Sequence, residues 1–159
     1  MNSNNLKTNF IKNGIISLNS FLKNDDIKML KKIVTNHCKE KNVSGNTFPI
    51  NFVQNLKIFK KPKKILSSLK LLNLLNKYQL KELAENLTNS PMELVMIDGY
   101  ISYKSDSPVL DWHLDQAYSG KKEINNFVDP DESIIKFFFY LTSVELNNGC
   151  LGYIPGSNK

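Results

Sequence analysis

The sequence predicts an α+β domain or a barrel, in which helices come first along the chain and an antiparallel sheet follows. Leucine and isoleucine recur at helical spacing in the first half, whereas the chain after Pro91 is rich in β-forming residues. Residues 147–149 (NNG) give a hairpin signal between the last two predicted strands. At 159 residues, 41% of them hydrophobic, the chain suits a single domain over 1–159, mainly helical over 1–90 and carrying the strands over 91–159.

The first predicted elements are a short strand over residues 15–18 and a helix that runs to about Lys41. Asn24 is the predicted N-cap, and the two aspartates after it place negative charge on the first turn, where the backbone N–H groups lack partners. His37 lies on the apolar stripe of this helix. A histidine in that position packs against the core more often than it binds a metal.

Two further helices are predicted after a loop over residues 42–55, which contains Gly45 and Pro49 as breakers. Pro62 suits the first turn of the second helix, and the third should end near Asn89. Apolar residues at helical spacing are expected to form the core faces of these helices: Ile65, Leu69, Leu72, Leu75, Leu80, Leu83 and Leu87.

The second half of the chain is predicted to be a series of strands. Residues 92–105 and 109–118 are the first two, and a long polar loop over 119–132 follows. Residues 133–146 contain an aromatic run of strand length and are predicted to be a buried strand. Another strand is expected to begin at Cys150.

The net charge of +6 does not indicate a nucleic-acid-binding protein. All 21 basic residues are lysine, which lacks the planar guanidinium that reads guanine or clamps phosphate with two hydrogen bonds. The densest basic run, residues 57–64 (KIFKKPKK), is predicted to be a solvated edge and a helix start.

No apolar run approaches the roughly 18 residues that a membrane span requires, and the polar N-terminus does not resemble a secretion signal. Cys38 and Cys150 are too few and too far apart to indicate a disulfide framework or a zinc site. We therefore expect two reduced thiols, no membrane partner and a cytoplasmic protein.

The stretch that carries chemistry is DWHLDQAYSG, residues 111–120. On a strand, His113 and Asp115 would project from the same face, about 6.6 Å apart along the chain. An imidazole and a carboxylate so placed could fill two positions of a 2-His-1-carboxylate iron site. A His-x-Asp triplet alone is weak, however, because a surface His–Asp pair explains it equally simply.

The surroundings of the triplet carry a resemblance to a known family. Trp112 precedes the triplet, and residues 148–157 (NGCLGYIPGS) form a second motif. Residues 9–30 add a phenylalanine, a glycine before a short predicted strand, and then a loop and a helix. Together these resemble the phytanoyl-CoA dioxygenase family of non-haem iron, 2-oxoglutarate-dependent oxygenases, with little likeness between residues 42 and 91.

The resemblance implies a double-stranded β-helix, a cupin-like jelly roll, with the N-terminal helices packed against its sheet. It further implies Fe(II) held by His113, Asp115 and a distal histidine, with 2-oxoglutarate and O2 as cosubstrates and a small molecule or acyl thioester as the substrate. Related halogenases replace the aspartate with a small residue, so Asp115 favours hydroxylation. No catalytic residue is expected beyond the metal ligands.

Other residues near the predicted site are weaker candidates. Tyr100, Tyr103 and Lys136 could bind 2-oxoglutarate, although strand tyrosines commonly just find a local hydrogen-bond partner. Trp112 and Tyr118 could line the substrate pocket, with core packing as the alternative. The loop that follows Tyr118 could recognise the substrate.

The sequence also departs from the family pattern. The distal histidine and the arginine that pairs with 2-oxoglutarate are both missing, since the chain contains only two histidines and no arginine. The sequence therefore predicts an incomplete jelly roll, the N-terminal part of a longer protein and inactive on its own. The alternative is a short, non-catalytic, cupin-like binding module that has lost the metal triad.

Overall fold

The computed structural model describes residues 3–40, 50–54, 57–58, 62–101, 134–146 and 148–157. Over these ranges the chain forms four α-helices and a three-stranded antiparallel sheet, a mixed α and β architecture. The elements in chain order are α1 Ser3–Asn13, α2 Asn24–Glu40, β1 Ile50–Gln54, β2 Lys57–Ile58, α3 Pro62–Lys77, α4 Leu80–Thr88 and β3 Met96–Gly99.

Strand β1 lies at the centre of the sheet, between β2 and β3. Its pairing with β3 is interrupted by a bulge: Asn51 pairs with Asp98 and Val53 pairs with Ile97, so Phe52 is the extra residue. A bulge bends the strand and leaves the extra residue outside the regular ladder. Phe52 is therefore free to point away from the sheet.

Phe52 is the most deeply buried large side chain among the described residues, at 1% exposure, and it fastens the sheet to the helices. Its ring belongs to a cluster that α2 and α3 complete, and the ring of His37 meets it edge-on at 5.0 Å. The hydroxyl of Ser68 donates a 2.7 Å hydrogen bond to the Phe52 carbonyl oxygen. The remaining members of the cluster are Leu30, Ile33, Leu71 and Leu74.

Gly99 allows the end of β3 to approach α2 closely. A Cβ at this position would lie 3.0 Å from Val34 Cγ2 and 3.4 Å from a ring carbon of Phe52, closer than an ordinary contact. A side chain on Gly99 would therefore push β3 away from the helices. Because Gly99 has no side chain, the end of β3 can lie against α2, and this sets the position of the next residue, Tyr100.

A charged cluster joins the start of α2 to the end of α3. The Lys77 ammonium lies 2.8 and 2.6 Å from the two carboxylate oxygens of Asp26, and the Tyr78 hydroxyl donates to the same carboxylate at 2.5 Å. The Tyr78 oxygen in turn accepts from the Lys23 backbone N–H at 2.8 Å. The Lys77 hydrogen bond, and then that of Tyr78, lowers the pKa of Asp26, while the Asp26 hydrogen bond raises the pKa of Lys77.

The structure confirms the helix predictions at most of their ends. Helix α2 begins at Asn24, although Ile27 N–H bonds to the Lys23 carbonyl, which moves the cap position to Lys23. Helix α3 begins at Pro62 and α4 ends at Thr88, with Asn89 in a left-handed conformation at its C-terminus. The basic run also begins on an edge strand, β2, as expected.

Several predictions for the first half were wrong. Residues 15–18 are not a strand; they leave α1 through Gly14 and pair with no strand in the described part of the chain. Helix α1 was not predicted, and residues 50–54, assigned to a loop, form the central strand β1. Because β1 and β2 precede α3, the order of helices first and sheet second is also incorrect.

The predicted core face of α3 is rotated by about one residue. Ser68, Leu71 and Leu74 are buried, whereas Leu69 is 45% exposed. Ser68 lies on the buried face and donates to the Phe52 carbonyl, so Leu71 and Leu74 share the core face with it while Leu66 and Leu69 face outward.

Residues 134–146 are not a buried strand. Exposure alternates along residues 134–140, as in an extended chain, but these residues form no ladder with any described strand. Ile134, Phe138 and Tyr140 are about half-exposed. A turn lies close to the predicted position, where Asn148 N–H bonds to the Glu145 carbonyl and the following Gly149 has a φ of 89°. In the described residues it joins no two strands, so the predicted hairpin is not formed there.

The described helices include none that is both long and apolar enough to span a bilayer.

Replacing Asp26 should weaken folding in a pH-dependent way. The pKa of Asp26 is lowered on folding, so its carboxylate stabilises the fold above its ordinary pKa, and this contribution is lost as the pH falls towards the folded pKa. Asp26→Asn should therefore lower the free energy of unfolding at pH 7, and the difference from wild type should shrink as the pH falls below the ordinary aspartate pKa. Urea unfolding at several pH values measures this difference.

Asp25→Asn is the matched control, because the Asp25 side chain is 95% exposed and its Lys28 partner lies 3.6 Å away. It should change stability little at any pH. Equal effects of the two substitutions would show that the Asp26 cluster contributes nothing particular.

Candidate functional site

The residues predicted to bind iron and to line the substrate pocket lie outside the described residues, as does one of the three predicted to bind 2-oxoglutarate, Tyr103. They are Tyr103, Trp112, His113, Asp115 and Tyr118. Their roles therefore stay predictions. Tyr100 and Lys136 lie within the described part of the chain, on either side of this region.

Strand β3 places Tyr100 directly after Gly99, at the edge of the packed core. The Tyr100 side chain is about half-exposed, and partial burial raises its pKa; nearby Tyr140 and Asp98 raise the pKa further. The phenol is therefore held in its neutral form, in which it can donate a hydrogen bond. Such a donor suits a carboxylate ligand.

Tyr140 is the residue near Tyr100 that sequence reasoning did not single out. Its phenolic oxygen accepts a 2.8 Å hydrogen bond from the backbone N–H of Leu151. This bond ties the aromatic segment to the second motif, residues 148–157. The sequence showed only an aromatic run at this point, and no spacing rule linked it to Leu151.

Exposure alternates along residues 134–140, and Lys136 lies on the more exposed side, as Tyr140 does. No described contact joins Lys136 to Tyr100 in one site. Binding of 2-oxoglutarate by Lys136 stays a prediction.

An open groove of about 520 Å³ separates the first half of α2 from the chain after the aromatic run. Its volume is that of a small-molecule site, but such sites bury most of their ligand's surface, whereas this groove faces solvent along its length. One ammonium and three hydroxyl groups contribute to its lining, which consists of Ile27, Lys31, Tyr140, Leu141, Thr142 and Ser143.

His37 is packed in the core, in agreement with the sequence analysis. It is 6% exposed, its ring contacts Phe52, and its Nε2 lies 3.3 Å from the Ser67 hydroxyl. Among the residues that the structure describes, no three histidine, cysteine, aspartate or glutamate side chains are grouped to hold a metal ion. His37 is therefore not part of a described metal centre.

The pKa of Tyr100 can be tested by an alkaline titration. The difference in tyrosinate absorbance between wild type and Tyr100→Phe should titrate above the ordinary tyrosine pKa of about 10. Removing the Tyr140 hydroxyl with Tyr140→Phe should lower this pKa only in part, because burial is the larger cause. If Tyr100 titrated at the ordinary tyrosine pKa both with and without the Tyr140 hydroxyl, the described packing of Tyr100 would be contradicted.

Comparison with known proteins gives a family but no individual relative. No curated protein and no solved structure matches the chain. The model of the phytanoyl-CoA dioxygenase (PhyH) family matches residues 10–159, which include the His113-Leu114-Asp115 triplet and the second motif. Because the match covers nearly the whole chain, the protein belongs to the phytanoyl-CoA dioxygenase family.

Proposed function

We propose that this protein is an Fe(II)- and 2-oxoglutarate-dependent dioxygenase that hydroxylates a small molecule or an acyl thioester. The observation that carries the proposal is the family match over residues 10–159, because members of this family are typically 2-oxoglutarate-dependent dioxygenases. Asp115 supports hydroxylation over halogenation, since a halogenase would need a small residue at that position.

The proposal includes a jelly roll, to which the residues after β3 would contribute the first strands. The described residues show the supporting helices and one small sheet. Strand β3 ends at Gly99, and the iron-binding triplet follows fourteen residues later, by the numbering of His113. The close packing of Gly99 on Val34 and Phe52 would thus fix the point from which the chain enters the site.

The donor chemistry of the chain fits Fe(II) at two of three positions. His113 would provide an imidazole nitrogen and Asp115 a carboxylate oxygen, the ligand types of a 2-His-1-carboxylate site. His37 is the only other histidine in the sequence, and its ring is committed to Phe52 and Ser67. The third ligand of the proposed site is therefore not assigned.

When bound, iron and 2-oxoglutarate would supply the oxidation, in which O2 and 2-oxoglutarate yield succinate, CO2 and a hydroxylated substrate. The chain's own residues would bind and orient the reactants. Trp112 and Tyr118 would exclude water from the substrate pocket. Tyr100 and Tyr103 would donate hydrogen bonds to the carboxylate of 2-oxoglutarate, and Lys136 would supply the positive charge that arginine gives elsewhere.

A non-catalytic, cupin-like binding module is the second candidate. It is kept because His37 is buried in the core, so that His113 and Asp115 are the two ligands that residues 1–159 offer. Two protein ligands seldom hold Fe(II) tightly. This candidate predicts weak or no uptake of iron and no 2-oxoglutarate turnover.

The proposal is tested by measuring Fe(II) binding and succinate formation by the full-length protein with candidate substrates. We expect His113→Ala and Asp115→Ala each to lower succinate formation by at least about a hundredfold, because loss of even an outer-shell partner costs roughly 10- to 100-fold. Fe(II) affinity should fall in both variants. Asp111→Ala is the matched control, since this carboxylate lies in the same stretch but is not a predicted ligand.

Two results would contradict the proposal. Turnover retained by both His113→Ala and Asp115→Ala would show that these residues hold no essential metal. Failure of the full-length wild-type protein to bind Fe(II) at micromolar concentrations would favour the binding module instead.

A further inference from the structure

The second motif ends in a β-turn with a defined geometry. Ser157 N–H bonds to the Ile154 carbonyl at 3.1 Å, which closes a four-residue turn with Pro155 and Gly156 at its centre. Gly156 has a φ of 78°, near the value of about 80° that a type II turn requires at its third position. Proline suits the second position because its ring fixes φ near −65°.

The hydrogen bond that closes the turn does not involve the Gly156 N–H. This N–H bonds instead to the last residue of α1. The N–H donates to the carbonyl oxygen of Asn13, the last residue of the helix, at 3.0 Å. Helix C-termini have carbonyls without intrahelical partners and carry partial negative charge. Gly14 N–H already bonds to the Phe10 carbonyl at 2.7 Å, with Gly14 left-handed at a φ of 77°, so the helix stops where the turn docks.

Helix α1 also contacts α4, away from the turn at Gly156. The Lys7 ammonium lies 3.3 Å from the Asn89 side-chain oxygen at the end of α4. Glu85 of α4 accepts a 3.1 Å hydrogen bond from the Met92 backbone N–H, on the segment that leads to β3. A continuous set of contacts therefore runs from the second motif through α1 to the entry of β3.

We propose that α1 is a positioning strap for the second motif: the Asn13 carbonyl holds the Gly156 turn, and the two segments order or fray together. Residues 3–9 of α1 precede the family match, so the family resemblance does not account for them. The strap would keep residues 154–157 in place relative to the helices. It requires neither iron nor substrate, and its test is independent of the proposed function.

Hydrogen exchange followed by mass spectrometry tests the coupling from the side of the turn. Alanine at a positive φ is strained by about 1–2 kcal/mol, so Gly156→Ala should speed exchange in residues 154–157 by about 5- to 30-fold. The proposal predicts a similar increase in α1. Gly149→Ala is the matched control, because Gly149 also has a positive φ, of 89°, but follows the turn that Glu145 and Asn148 close and lies outside residues 154–157.

A second variant tests the coupling from the side of the helix. Thr8→Pro interrupts α1 in its interior, since proline lacks the N–H and clashes with the preceding turn. Exchange in residues 154–157 should then rise as it does in Gly156→Ala, while α3 keeps its wild-type exchange. The proposal is overturned if either variant leaves the other segment unchanged, if Gly149→Ala frays α1 equally, or if exchange rises uniformly in all elements.

Discussion

The described structure depends on the insertion of Phe52 between α2 and α3. Burial of a phenylalanine side chain contributes roughly 1.5–3 kcal/mol, a large share of the marginal stability of a domain. In a regular strand the Phe52 carbonyl would accept a hydrogen bond from the neighbouring strand. The bulge takes this carbonyl out of the ladder, and it accepts from the Ser68 hydroxyl instead. One residue thus provides both the apolar contact and the polar contact that fix β1 on the helices.

The rest of the fold follows from that attachment. Strand β3 pairs with β1, and its last residue, Gly99, meets both Phe52 and Val34. The position at which the chain passes into Tyr100 and the residues beyond is therefore set by the helices. The Asp26 cluster joins the start of α2 to the end of α3. It therefore holds the two helices on either side of Phe52 in a fixed relative position.

The sequence predicted α2, α3 and α4, though not α1, because their signals are local: Pro62 in a first turn, and aspartates after Asn24. It did not predict β1, because a five-residue strand that carries one buried phenylalanine shows no clear alternation. The face of α3 was misjudged for a physical reason, since two overlapping sets of leucines fit the helical period and a serine decides between them. Ser68 is buried because the Phe52 carbonyl needs a donor, and that requirement arises only in three dimensions.

For the candidate site, the sequence supplied the family, which the match over residues 10–159 confirms. The contacts of Tyr140 with Leu151 and of Gly156 with Asn13 join segments distant in sequence, and no periodicity indicates them. The most direct test of the Phe52 attachment is amide exchange in Ser68→Ala. Because a buried carbonyl without a partner costs about 1–3 kcal/mol, exchange in β1 and β3 should speed up together while α4 is unchanged. Wild-type exchange in β3, with β1 alone accelerated, would contradict the account.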